Sequence, residues 1–203
     1  MKKVSFQRLM SLVTALLLFL SIVQPMNVLA KTKTVKKLKY DSVDYVSGGK
    51  KKLEKKSFKI KKGKNYSLKV SEGFLRFKAP KKGVYKFTFS GLKSTRRKTV
   101  NQIEWRSDEY CTVWPLQMSK KGSFIEPSSK IKTQGWKDKL WDNRGFSYLA
   151  SKAYIKHYGP FGYDKLFNRP LASRYFSTSL KKGEILYLHV KCEGPCTVKL
   201  KVK

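Results

Sequence analysis

Alternation of apolar and polar residues is the strongest pattern in this chain. Phe58 and Ile60, then Tyr66, Leu68 and Val70, fall on one side of an extended backbone, with Lys59, Ser67 and Lys69 on the other. Past Glu72-Gly73, Leu75 and Phe77 alternate with Phe74, Arg76 and Lys78; past Pro80–Gly83, Tyr85, Phe87 and Phe89 alternate with Lys86, Thr88 and Ser90. A period of two bounded by Gly and Pro predicts half-buried antiparallel strands, and no helix can use it. The pattern returns at the far end. Leu186, Leu188 and Val190 oppose Tyr187 and His189. Val198, Leu200 and Val202 then oppose Thr197, Lys199 and Lys201. Glu193-Gly194-Pro195 between them reads as a tight turn, so the two stretches form a predicted closing hairpin.

Lys-Lys-Gly punctuates the pattern at 61–63, 81–83, 120–122 and 181–183. Gly supplies the backbone freedom a tight turn needs, and paired lysines keep the turn in water. The phrase at 57–70, SFKIKKGKNYSLKV, is echoed at 177–190, STSLKKGEILYLHV. Between these regular quarters the chain is harder to read. Residues 91–172 form an irregular middle, with strands expected at Val100–Ile103 and Tyr110–Met118, and either a helix over Ser147–Tyr158 or a strand over Phe146–Ala150. Residues 31–57 are lysine-dense around an aromatic island at 40–46, which offers one edge strand at 41–46. Gly48-Gly49 followed by three lysines completes the picture of a flexible arm.

The fold class that follows is all-β: an antiparallel β-sandwich over 58–203 with a loop-rich central insertion. YSLKVSEGFLRFKAPKKGVYKFTFSG (66–91) and SLKKGEILYLHVKCEGPCTVKLKVK (179–203) carry the pattern. Through Phe77, Ala79, Pro80, Gly83, Tyr85 and Phe87 in the first stretch, and Lys181, Gly183, Tyr187 and Val190 in the second, the chain resembles bacterial pre-peptidase C-terminal domains. The resemblance spans about half of the chain beyond residue 30. It implies an extracellular, non-catalytic, jelly-roll-like sandwich that accompanies or attaches to other secreted proteins. The long middle departs from that compact family.

Composition changes the picture most through charge. The 203 residues hold 46 Lys and Arg against 13 Asp and Glu, a formal net charge of +33. Solubility of a small domain needs only about 2–8 charges of either sign. Such an excess attracts polyanions. Lys59, Lys61, Lys69, Lys86, Lys199 and Lys201 fall opposite the apolar positions and are the candidate polyanion-binding residues. A compositional bias spread over a solvated sheet would give the same alternation. Residues 1–30 read as a signal peptide: Lys2, Lys3 and Arg8, an apolar run over 9–23, and a small residue, Ala30, at the cut. A retained anchor is the other reading of that run, which is short for a spanning helix. Export to the cell exterior or surface is expected, with no transmembrane segment after cleavage.

Three cysteines in an exported chain permit one bridge. With Cys192 and Cys196 on opposed strands of the predicted hairpin, that pair is the first expectation. Cys111 joined to either of them is the second. A zinc site would need these thiols and one of only two histidines, and a calcium site clustered carboxylates beyond Glu104, Asp108 and Glu109, so no metal or cofactor is expected. No catalytic motif is present. A basic ribonuclease using His157, His189 and Glu104 is the enzymatic alternative. Trp136, Trp141, Tyr158 and Tyr163 are the candidate stacking residues for sugar rings, their competing role being to cap the ends of the sandwich. The functional expectation is a non-catalytic module that adheres to an anionic envelope polymer or acidic glycan, with no specific nucleic acid. The alternative partner is another exported protein.

Overall fold

The computed structural model describes residues 31–43, 48–94, 110–119, 125–128, 130–133, 146–150, 152 and 172–203. The strands are β1 (Lys33–Thr34), β2 (Phe58–Ile60), β3 (Asn65–Lys78), β4 (Gly83–Ser94), β5 (Tyr110–Met118), β6 (Ile125–Pro127), β7 (Ile131–Thr133), β8 (Phe146–Ala150), β9 (Ser173–Leu180) and β10 (Ile185–Val202). Helix α1 runs Gly49–Lys56. The chain is all-β and mostly antiparallel, as the alternation predicts; β1 and β2 alone join β3 in parallel.

β3 and β10 are the spine. They pair antiparallel from Ile185↔Lys78 to Lys201↔Asn65. On its other edge β10 changes partner halfway: Tyr187–Cys192 pair with β5, and Cys196–Val202 pair with β4. The sheet thus forks into two layers that share two strands. One layer continues from β10 through β4 and β9 to β7, and the other through β5 to β6 and β8. Their inner sides enclose the main core. Phe77 of one layer meets Tyr85 and Phe87 of the other edge-to-face, at centroid distances of 4.8 and 5.2 Å. Leu186, Leu188, Val190, Val198, Leu200 and Val202 all point into it.

The repeated phrase has a structural meaning. Gly63 and Gly183 both sit at positive φ, 74° and 80°, as the turn reading requires. The turn ahead of β3 closes over the end of β10, with Gly63 N–H donating to the Val202 carbonyl at 2.8 Å. The turn ahead of β10 closes over the end of β3, with Gly183 N–H donating to the Ala79 carbonyl at 2.8 Å. Each spine strand is capped by the turn that launches the other.

Three expectations need correction. The closing hairpin does not exist: residues 185–202 are one strand of 18 residues that never reverses. Glu193-Gly194-Pro195 lies in a wide bulge, where β10 passes from Lys191↔Glu72 to Cys196↔Val70. A Gly-Pro pair marks a bulge as readily as a turn, because both need a residue without ladder bonds. The cysteine pairing built on the hairpin loses its premise. All three cysteines are buried, and Cys192 stands in register with Cys111 instead.

Glu72-Gly73, second, is no break. β3 runs through it, and Gly73 is needed because a Cβ there would come within 2.6 Å of the Lys36 carbonyl oxygen and 2.7 Å of Val35 Cγ1. That crossing chain is the third correction. The lysine-rich arm is packed. Its strand expected at 41–46 is a 3-10 turn at Tyr40–Ser42, the residues after Val43 lying outside the described set. Leu38, Val43 and Leu53 form a second core with Phe74, Leu116, Ile125 and Tyr187 on the outer side of the β5 layer. Helix α1 is anchored by the fully buried Leu53, while Lys55 and Lys56 lie in its last turn, where cations oppose the helix dipole. At 146–150 the two open readings resolve as strand. Val100–Ile103 lies outside the described residues.

Candidate functional site

Opposite cross-strand residues share a side of the sheet, so the register defines what the β4–β9 layer shows to solvent. Across its outer side, Thr197 stands between Lys69 and Lys93, and Lys199 between Ser67 and Ser90. Lys201 stands between Asn65 and Thr88, and Thr88 neighbours Tyr175. Lys86 and Lys203 exchange backbone hydrogen bonds of 3.1 and 2.9 Å, and Lys86 neighbours Ser177, which neighbours Lys132. The lysines are exposed, and the residues between them are hydroxyls, an amide and one tyrosine. Among the described residues at these outward positions none is acidic.

The local geometry spreads the charge. Lys86 Nζ lies 3.6 Å from the Tyr175 ring centroid, a cation–π contact that fixes one ammonium over the sheet. The stem of Lys199 lies beside Gly91, which offers no side chain to lift it away. Thr32 and Ser67 hydroxyls are 3.0 Å apart and extend the hydroxyl row toward β1. Lysine ammonium groups are compact point charges without the planar fork of arginine.

Of the predicted polyanion-binding lysines, Lys69, Lys86, Lys199 and Lys201 come together here. Lys59 does not, since β2 puts it in register with Arg76 in the other layer. Lys61 leaves β2 for the turn, its N–H donating to the Tyr66 hydroxyl at 2.7 Å. Parity alone cannot sort lysines between layers; pairing order does. Lys93 and Lys132 were missed because both lie within the irregular middle, where no strand parity was read. Trp136, Trp141, Tyr158 and Tyr163 lie outside the described residues, as do His157 and Glu104.

Glu54, Glu126 and Glu184 line an open recess of about 650 Å³ with Lys50, Lys130 and Tyr187. Glu184 accepts from Lys181 N–H at 2.8 Å and pairs with Lys130 Nζ at 3.0 Å. Burial pushes its carboxyl up, but these hydrogen bonds and charges prevail and hold it below the usual range. Glu72 accepts from Tyr40 N–H at 3.1 Å and lies 3.2 Å from His189 Nε2.

His189 is only 2% exposed, walled by Phe74, Tyr40 and Trp114. Desolvation pushes its pKa down against the pull of Glu72, so the neutral ring donates from Nε2 to the carboxylate. No substrate reaches a ring so enclosed, which removes His189 from the ribonuclease reading. Among the described residues no group of three or more His, Cys, Asp or Glu is placed to hold a metal ion. No described helix is long and apolar enough to cross a membrane.

The chain matches no family model and no curated protein. Among solved structures it is similar to CorA, a surface-associated copper-binding protein important in copper acquisition by Methylomicrobium album BG8, at 6% identity and a TM-score of 0.33. That alignment covers 72% of this chain and 98% of the other. A likeness this loose carries no argument about fold or ligand.

Proposed function

We propose that this protein is an exported, non-catalytic binding module that holds an anionic envelope polymer or acidic glycan against the outer side of its β4–β9 layer. The observation that carries the reading is the segregation of charge. Lys69, Lys86, Lys93, Lys132, Lys199, Lys201 and Lys203 share one side with hydroxyl and amide neighbours, while Glu54, Glu72, Glu126 and Glu184 lie elsewhere. The outward positions of this layer carry these seven lysines and, among the described residues, no acid. Hydroxyls between the ammonium groups add neutral donors for phosphate, sulfate or carboxylate oxygens. The signal-peptide pattern and the resemblance to pre-peptidase C-terminal domains both support an extracellular setting.

The test is binding to isolated cell-wall material, heparin and a neutral glycan across a salt series. Affinity for the acidic polymers is expected to fall steeply with salt, since each contact releases counterions and screening shortens its reach. The triple variant Lys69→Glu/Lys199→Glu/Lys201→Glu is expected to lose most of that binding, about tenfold or more at low salt. Salt-insensitive binding, or a triple variant that binds like the parent, would sink the proposal. A second reading, docking on another exported protein, is favoured by Trp114, which is 41% exposed beside the packed arm. Binding to an exported protein that survives high salt and is lost in Trp114→Ala would support it.

A further inference from the structure

We propose that Cys111 and Cys192 form a cross-strand disulfide that ties β5 to β10, leaving Cys196 as the remaining thiol. The two are register partners, the last pair in the run from Tyr187↔Leu116 to Cys192↔Cys111. Both are buried, and both belong to the main core, so their side chains point to the same side of the sheet.

The backbone identifies the kind of pair they form. Pro115 carries no N–H, and its carbonyl accepts from Ser128 N–H at 3.1 Å, on the β6 edge of β5. Pro115 therefore turns away from β10 and makes a non-hydrogen-bonded pair with Leu188. Backbone groups alternate along a strand, and the register is unbroken from Leu188 to Cys192, so Cys111 also turns away and its pair with Cys192 is of the same kind. Non-hydrogen-bonded partners approach to a Cα separation of about 4.5 Å, inside the ~4.4–6.8 Å that a disulfide spans. Cys196 is placed otherwise. Beyond the bulge it faces Val70 and Ser94, and its Sγ donates to the Val70 carbonyl at 3.5 Å.

Bridge formation removes one proton and one electron from each thiol. The electron acceptor is an oxidised dithiol carrier or oxidised glutathione: one cysteine thiolate attacks its disulfide and releases one carrier thiol, and the other attacks the protein-side sulfur of the mixed disulfide and releases the second. Because both sulfurs end buried, the exchange belongs to the folding chain, before the two layers close. Once made, the bridge is shielded from reductants and ties together the entire stretch from 111 to 192.

The experiment is to unfold the reduced protein, refold it in a reduced and oxidised glutathione mixture, block thiols, and map the linked peptides under non-reducing conditions. A Cys111–Cys192 linkage with Cys196 alkylated is the expected result, retained in Cys196→Ala and absent in Cys111→Ser and Cys192→Ser. The bridged protein should melt roughly 10 °C above its reduced form, because the closed loop is long. A Cys192–Cys196 or Cys111–Cys196 linkage, or three alkylated thiols in refolded protein, overturns the proposal. The mapping needs only the parent chain, so a variant that fails to fold does not blunt it.

Discussion

The outer sides of the two layers are built from the same two strands and end in opposite chemistry. Along β3, the outward residues are Asn65, Ser67 and Lys69 in one layer, then Glu72, Phe74 and Arg76 in the other. Along β10 they are Ile185, Tyr187, His189 and Lys191, then Thr197, Lys199 and Lys201. The half with aromatics is roofed by Leu38, Val43 and Leu53; the lysines of the other half are exposed, and among the described residues none covers them. Alternation decides which residues face outward. It does not decide whether outward means solvent. Phe74 and Tyr187, at outward positions of the β5 layer, are covered by Leu38, Val43 and Leu53, whereas the outward Tyr175 of the other layer carries only Lys86 over its ring; leaving a ring such as Phe74 in water forgoes about 1.5–3 kcal/mol.

This contrast can be broken most severely from the roofed side. Phe74→Ala removes a fully buried ring shared by the sheet and the roof and should cost about 3–5 kcal/mol, read as a lower denaturant midpoint. Gly73→Ala attacks the same seam through the backbone. The added methyl meets the Lys36 carbonyl, so the roof must lift; a loss of roughly 1–3 kcal/mol and faster proteolysis within 31–56 are expected.

Acid should also separate the two sides. Burial holds the folded His189 pKa below the ordinary value near 6.5, whereas the unfolded chain takes up a proton there freely. Stability is therefore full above about pH 6.5 and declines as pH falls toward the folded value. His189→Gln, which keeps a donor for Glu72, should flatten that part of the pH–stability curve.

Smallest in stability are changes on the open side. Lys199→Glu and Lys201→Glu should each shift unfolding by no more than about 0.5 kcal/mol while altering polymer binding. A large destabilisation by either would mean that the lysine side is covered after all.

How legible this was follows from where the signals were local. The strands at 65–70, 83–90 and 197–202 were readable because one side is apolar and the other wet. The course of β10 through Gly194-Pro195 was not, since the residues of a bulge and of a turn are the same and only the partner strands tell them apart. The roof was hidden for another reason. Leu38, Val43 and Leu53 are sparse anchors among lysines, too few to raise a segment above the profile of a tail. The candidate site was half visible: parity found Lys69, Lys86, Lys199 and Lys201, and only pairing order could exclude Lys59 and Lys61.

A spine whose members lie at opposite ends of the chain also sets a timetable. β3 finds its full-length partner only when β10, more than a hundred residues later in sequence, becomes available, and neither layer can close before then. Contacts that distant must bring their ends together before any burial rewards them, which makes folding slow and all-or-none in character. A nascent chain of this design stays open until its last strand arrives. That is a useful property in any polypeptide that has to be threaded through a narrow passage before it folds.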